Sequence, residues 1–243
     1  MSISRRLHFS CLLALSGLIL NSAAAWPSDV WKAKPVRQWT EQETRQFLVG
    51  SPWVRQVVVG SGTGGMEGSG AQTRLGRGGE SSGAEGRVDS STIDVEPGGA
   101  HGPAYYIEWT SAKIVRAANV HMGLLQGRIK QDPGDPPALD AIALTVGGPD
   151  LHVFLSATEP QLQATAYLRP RHSKARIQPT EVKILKKENR VLAVTFTFPR
   201  VVDGQPVIPD QEKSAEFSCK AGRDTLKVSL DVNKMTTEAG RDL

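Results

Sequence analysis

Two glycine-framed motifs offer the most direct chemistry in this chain. Gly60-Ser61-Gly62-Thr63-Gly64-Gly65 is a literal G-x-G-x-x-G, placed directly after the β-branched run Val54 to Val59. In a dinucleotide-binding unit such glycines let the backbone approach a pyrophosphate, which then sits on the N-terminus of the following helix. Here Met66–Ser82 brings more glycine and no apolar period, and no second strand of a βαβ unit follows. Gly79-Glu80-Ser81-Ser82-Gly83 fits the G-x-S-x-G elbow of serine hydrolases, which works by holding its serine exposed on a strand-to-helix turn. No strand precedes Gly79 and no helix follows Gly83, so we read both matches as products of a Gly/Ser-rich composition. No Walker, S-x-x-K or H-E-x-x-H pattern occurs. His101, His121, His152 and His172 each stand without another histidine within four residues and without a flanking cysteine, so no metal and no cofactor is expected.

Charge gives a third kind of chemistry. Residues 169–190 carry Arg169, Arg171, Lys174, Arg176, Lys183, Lys186, Lys187 and Arg190 against only Glu181 and Glu188, a local charge of about +6. Such a stretch fits an acidic partner, a polyanionic envelope glycan or anionic lipid headgroups, or else serves as a solvated surface. Cys219 shares a strand face with Phe217 and reads as a small core hydrophobe rather than a reactive thiol. Trp39, Trp53 and Trp109 read as anchors of the first helix and its neighbouring strand.

The elements that would carry these groups begin after an export signal. Arg5 and Arg6 precede the apolar run Phe9–Leu20, and Asn21-Ser22-Ala23-Ala24-Ala25 supplies the small residues of a cleavage site, so we expect a cut after Ala25. The apolar run is shorter than the ~20 residues a spanning helix needs. No later segment is apolar enough to cross a bilayer. Removing residues 1–25 takes away two arginines and no acid, so the formal charge falls from +4 to +2. That argues against general nucleic-acid binding. Cys219 is then the only cysteine, so stability must come from an ordinary core rather than a disulfide.

Thr40-Glu41-Gln42-Glu43 is a capping box that predicts a helix start, with Trp39 as the staple residue ahead of Phe47 and Leu48. Gly50 suits the left-handed C′ position, and Pro52 blocks continuation. Gly60–Gly102 holds fourteen glycines in 43 residues and reads as a flexible tract. Tyr105–Trp109 predicts a strand, and Ser111 is placed to cap a helix over about 112–124 with Ile114, Val115, Ala118 and Met122 as its apolar stripe. Ala141–Val146 and Leu151–Ala157 predict strands around Gly147-Gly148-Pro149, with a helical turn at Leu139–Leu144 as the alternative. Glu159–Tyr167 predicts a short helix. Val182–Lys186, Val191–Phe198, Ala215–Cys219 and Thr225–Val232 predict antiparallel strands, the first two joined by a hairpin at Lys187–Arg190. In the second of these, Leu192, Val194, Phe196 and Phe198 are expected on one face. The fold class is α+β, an antiparallel sheet with two or three helices on one face. Residues 1–25 are the signal peptide, 26–59 an N-terminal helix and strand, 60–102 the Gly-rich tract and 103–243 the α+β domain.

Trp39-Thr40-x-x-Glu43, Ser51-Pro52-Trp53, the glycine tract, Glu108-Trp109-x-Ser111-Ala112 and Phe198-Pro199-Arg200 occur in this order. In that order they resemble a family of uncharacterised exported bacterial proteins. Thr236-Thr237-Glu238 and Arg241-Asp242-Leu243 depart from the family's basic, aliphatic ending. The resemblance implies export and a shared fold, and it carries over no catalytic residue. The expected function is that of a non-enzymatic envelope binding or scaffolding protein, periplasmic or extracellular, partnered by another envelope component or an acidic molecule. The alternative is a hydrolase with a site assembled from scattered residues such as His101, His121, Glu108 and Asp140.

Overall fold

The period-2 runs pair as antiparallel strands in a computed structural model that describes residues 29–58, 104–173 and 175–243. The expected signal segment, the Gly-rich tract with both glycine motifs, His101 and Lys174 lie outside these residues. In chain order the elements are α1 (Val30–Ala33), α2 (Glu41–Gly50), β1 (Val54–Val58), β2 (Ala104–Glu108), α3 (Lys113–Leu125) and β3 (Ala141–Gly147). They continue with α4 (Glu159–Thr165), β4 (Tyr167–Pro170), β5 (Glu181–Lys187), β6 (Arg190–Pro199), β7 (Val201–Val202) and β8 (Gln205–Pro206). The last are β9 (Ala215–Ala221), β10 (Asp224–Leu230), β11 (Thr236–Thr237) and β12 (Gly240–Arg241). The class is α+β.

The strands divide between two principal sheets, ordered β1-β2-β3-β6-β5 and β10-β9-β4, while β7–β8 and β11–β12 are two-stranded ribbons. Alternation explains the split. Leu144, Phe196 and Val182 lie side by side on one face of the first sheet, as do Val146, Val194 and Ile184. Leu168, Phe217 and Val228 form the matching row of the second. Each sheet thus has an apolar face to bury, and each covers the other. The Phe217 ring lies 5.1 Å from Phe196 and 6.3 Å from Phe198, at the meeting of the two layers. β1 approaches β10 along one side, and α4 packs against both β5 and β9. On the outer face of the first sheet, Thr110, Thr145 and Thr195 link their hydroxyls at 3.0 Å each.

Helix α2 begins as its capping box requires. Thr40 accepts from Glu43 N–H at 3.2 Å, and the Glu43 carboxylate accepts from Thr40 N–H at 2.7 Å. Phe47 sits at the centre of an aromatic cluster, 4.9 Å from Trp39, 5.6 Å from Trp53 and 5.7 Å from Trp31. The helix end differs from expectation. Gly50 is its last residue and Ser51 is extended at φ −76° and ψ 165°. Pro52 disfavours helical backbone at the residue before it, so no left-handed glycine cap is needed.

Four other expectations are corrected. Ser111 does not cap α3: its hydroxyl has no partner among the described residues, and the Asp242 carboxylate takes the Lys113 and Ile114 N–H groups instead, at 2.8 and 2.7 Å. Leu151–Ala157 is no strand. Asp150 accepts from the His152 N–H at 2.9 Å and turns the chain into a 3-10 segment, His152–Phe154, that buries Phe154. Helix α4 stops at Thr165, and Tyr167 begins β4. Leu192 is 44% exposed, because a bulge at Leu185/Lys186 shifts the register and buries Val191 in its place.

Candidate functional site

The basic run is distributed by the fold onto two sheets. Lys183, Lys186, Lys187 and Arg190 belong to the β5–β6 hairpin. There Lys183 pairs with Glu181 at 3.0 Å and Lys186 donates to the Leu155 carbonyl. Arg169 and Arg176 sit on the outer face of the second sheet, and the Arg171 N–H extends the β4–β9 ladder to Ser214.

Register adds two residues to that second group. Outward positions on β9 and β10 bring Lys220 and Lys227 to the same face as Arg169. Four cations therefore share it with one carboxylate, Glu216. That carboxylate accepts from Tyr167 Oη at 2.9 Å, Arg169 at 2.9 Å and Lys227 at 3.1 Å. Burial would raise the Glu216 carboxyl, but Tyr167, Lys227 and Arg169 together hold it below the usual carboxylate range. The Arg176 guanidinium lies 4.6 Å from the Tyr167 ring centroid, which fixes it over the sheet. Thr225 and Ser229 add exposed hydroxyls between the charges.

A cleft of about 390 Å³ lies where the chain leaves β4. Its walls are carbon-rich: Pro170, Ile177, Val202, Pro206, Val207 and Pro209. At its edge stand His172 and Glu212. The Glu212 side chain is 2% exposed, and its carboxylate accepts from the N–H groups of His172, Lys213 and Ser214 at 3.1, 3.0 and 3.3 Å. A fourth bond joins it to His172 Nδ1 at 3.0 Å. Burial pushes the Glu212 carboxyl up, yet the hydrogen bonds from His172, Ser214 and Lys213 outweigh burial and leave it below the usual range. An ionised carboxylate only accepts, so Nδ1 carries the proton and Nε2 is the ring's second functional nitrogen. In the sequence His172 is a lone histidine, and Glu212, 40 positions away, leaves no local signal that joins the two.

A second cleft, also about 390 Å³, runs along α3 between the turn at Pro35–Arg37 and the loop at Asp132–Pro136. His121 lies in its wall with Nε2 donating to the Trp39 carbonyl at 2.8 Å. Its charges are mutually paired: Arg37 with Asp132 and Asp135 at 3.2 and 3.5 Å, and Lys113 with Asp135 at 3.8 Å. The motif residues Trp53, Trp109 and Arg200 converge beyond it. Trp109 N–H donates to the Trp53 carbonyl, Trp53 Nε1 donates to the Asp242 carbonyl, and Arg200 donates to a main-chain oxygen of Leu243.

Of the residues considered for a hydrolase, His101 lies outside the described residues, and Glu108, His121 and Asp140 share no hydrogen bond with one another among the described residues. Glu108 is bonded to Asn119, and burial raises its carboxyl against that bond. His121 is committed to Trp39, and Asp140 is exposed. Cys219 is fully buried, and burial pushes its thiol far up, so it packs as a hydrophobe. Among the described residues no group of three or more His, Cys, Asp or Glu side chains is arranged to hold a metal, and no helix is long and apolar enough to cross a membrane. Comparison with protein-family models, with curated proteins and with solved structures found no match.

Proposed function

We propose that this chain is an exported protein of the bacterial cell envelope that binds an acidic envelope component through the outer face of β10-β9-β4. The observation that supports this reading is the gathering of Arg169, Arg176, Lys220 and Lys227 on one sheet face around a single, fully engaged Glu216. A rigid sheet holds these cations in fixed spacing, so their fields add without the entropy cost of ordering a loop. Hydroxyls of Thr225 and Ser229 interleave them, and none of the exposed large hydrophobic side chains belongs to this face. Charge and hydrogen bonding, rather than apolar burial, would carry the contact.

The test is a titration of the isotopically labelled protein with dextran sulfate, followed by amide chemical shifts. Shifts confined to β4, β9 and β10, weakening as salt rises, are the expected result. The double variant Arg176→Glu/Lys220→Glu should abolish them while retaining the fold, since neither side chain is ion-paired among the described residues. Shifts centred on the β5–β6 hairpin, or unchanged binding by the double variant, would refute the assignment.

A further inference from the structure

The cleft beside β4 is chemically distinct from the basic face, since Pro170 and His172 alternate with Arg169 and Arg171 along the chain. Three of the four bonds to Glu212 come from backbone N–H groups and tie the loops at 172 and 212–214 together. The fourth holds the imidazole of a side chain that is itself 66% exposed. An exposed ring contributes little to a core, so this bond is not needed to hold the fold. What it does is fix the tautomer and the direction of the ring, leaving Nε2 as the acceptor nitrogen of a histidine that lines an apolar-walled cavity.

We infer that Glu212 and His172 form a general-base dyad that activates water for hydrolysis of carboxylic esters with short, uncharged acyl chains. This goes beyond the binding role proposed above and uses none of its residues. His172 Nε2 removes a proton from water as the water oxygen bonds to the ester carbonyl carbon, and the carbonyl electron pair moves onto oxygen. Collapse of the tetrahedral intermediate breaks the bond to the leaving oxygen. That oxygen recovers the proton from Nε2, giving one carboxylic acid and one alcohol. Glu212 touches neither water nor ester; it is a positioning residue that keeps Nδ1 protonated and stabilises the transient imidazolium. Gln205 and Gln211 line the same cleft and carry the amide donors that a developing oxyanion requires. The carbon-rich wall receives the acyl chain and disfavours a charged one.

The experiment measures p-nitrophenol release from the acetate, butyrate and octanoate esters by the purified protein. We expect saturable rates that are higher for the acetate and butyrate esters than for the octanoate; a preference for octanoate would overturn the short-chain assignment. His172→Gln should lose about 100-fold or more in kcat with little change in KM, the usual share of a general base. It should also retain the wild-type melting temperature, since the backbone bonds to Glu212 remain. Glu212→Gln, where folded by circular dichroism, should lower kcat and displace the pH–rate profile, which a purely structural residue would not do. No turnover of any of the three esters, rates linear in ester concentration, or an undiminished rate in His172→Gln would each overturn the assignment. His172→Gln decides the matter alone if the Glu212 variant does not fold.

Discussion

The two clefts have the same volume and each carries a histidine with one ring nitrogen engaged, yet their charges are disposed differently. In the α3 cleft the histidine donates to a backbone carbonyl, which holds the ring in place. Its acids and bases neutralise one another at the rim, or, in the case of Asp242, complete a helix. In the cleft beside β4 the one lining acid is buried and satisfied four times over, and its polarity is passed through an imidazole to the cavity. Cavity size therefore says little about function; the fate of each charge says more.

Substitutions at three residues would break or sharpen this contrast. Glu212→Ala should have the largest effect, a loss of about 3 kcal/mol in urea denaturation, because three half-buried backbone donors lose a buried, charged acceptor. The same group has a pH signature. Its folded-state pKa is lowered, so its stabilisation is complete above the ordinary carboxylate range and is lost as pH falls through the folded value. Glu212→Gln should flatten that acid limb of the stability curve. A wild-type curve without such a limb would contradict the burial and bonding described.

Asp242→Ala should rank second, at about 1–2 kcal/mol, through loss of a charged cap on α3. Asp242→Asn should recover part of that, since an amide oxygen still accepts. Equal melting temperatures for wild type and Asp242→Ala would remove the cap from the account of α3. Arg37→Ala should be the mildest, within about 0.5 kcal/mol, because its side chain is 60% exposed and its partners Asp132 and Asp135 are 41% and 74% exposed. A loss approaching that of Asp242→Ala would mean that the rim of the α3 cleft is a structural network, and the contrast between the clefts would narrow.

Legibility in the sequence followed the distance over which each feature is encoded. The α2 capping box, the stripe of Ile114, Val115, Ala118 and Met122, and the alternation of β9 and β10 lie within a few residues of themselves and could be read directly. Asp242 as the cap of α3 could not, since it acts from 129 residues away while Ser111 offered a local decoy. Leu192 carried the right parity for burial until the bulge changed it. Half of the basic face was visible as Arg169 and Arg176; Lys220 and Lys227 joined it only once strand register was known. The 3-10 segment at His152–Phe154 was masked by an apolar run that looked like a strand. An aspartate two residues before the histidine was the available clue, because Asx bonding turns a chain locally.

The contacts of Asp242 bear on when the protein becomes itself. Its carboxylate starts α3 and its carbonyl receives Trp53, over sequence separations of 129 and 189 residues. Pairings over such distances form late, because loop closure must precede their reward. Without residues 240–243 the start of α3 is bare and the Trp53 indole unsatisfied, so the order of both depends on a segment far along the sequence.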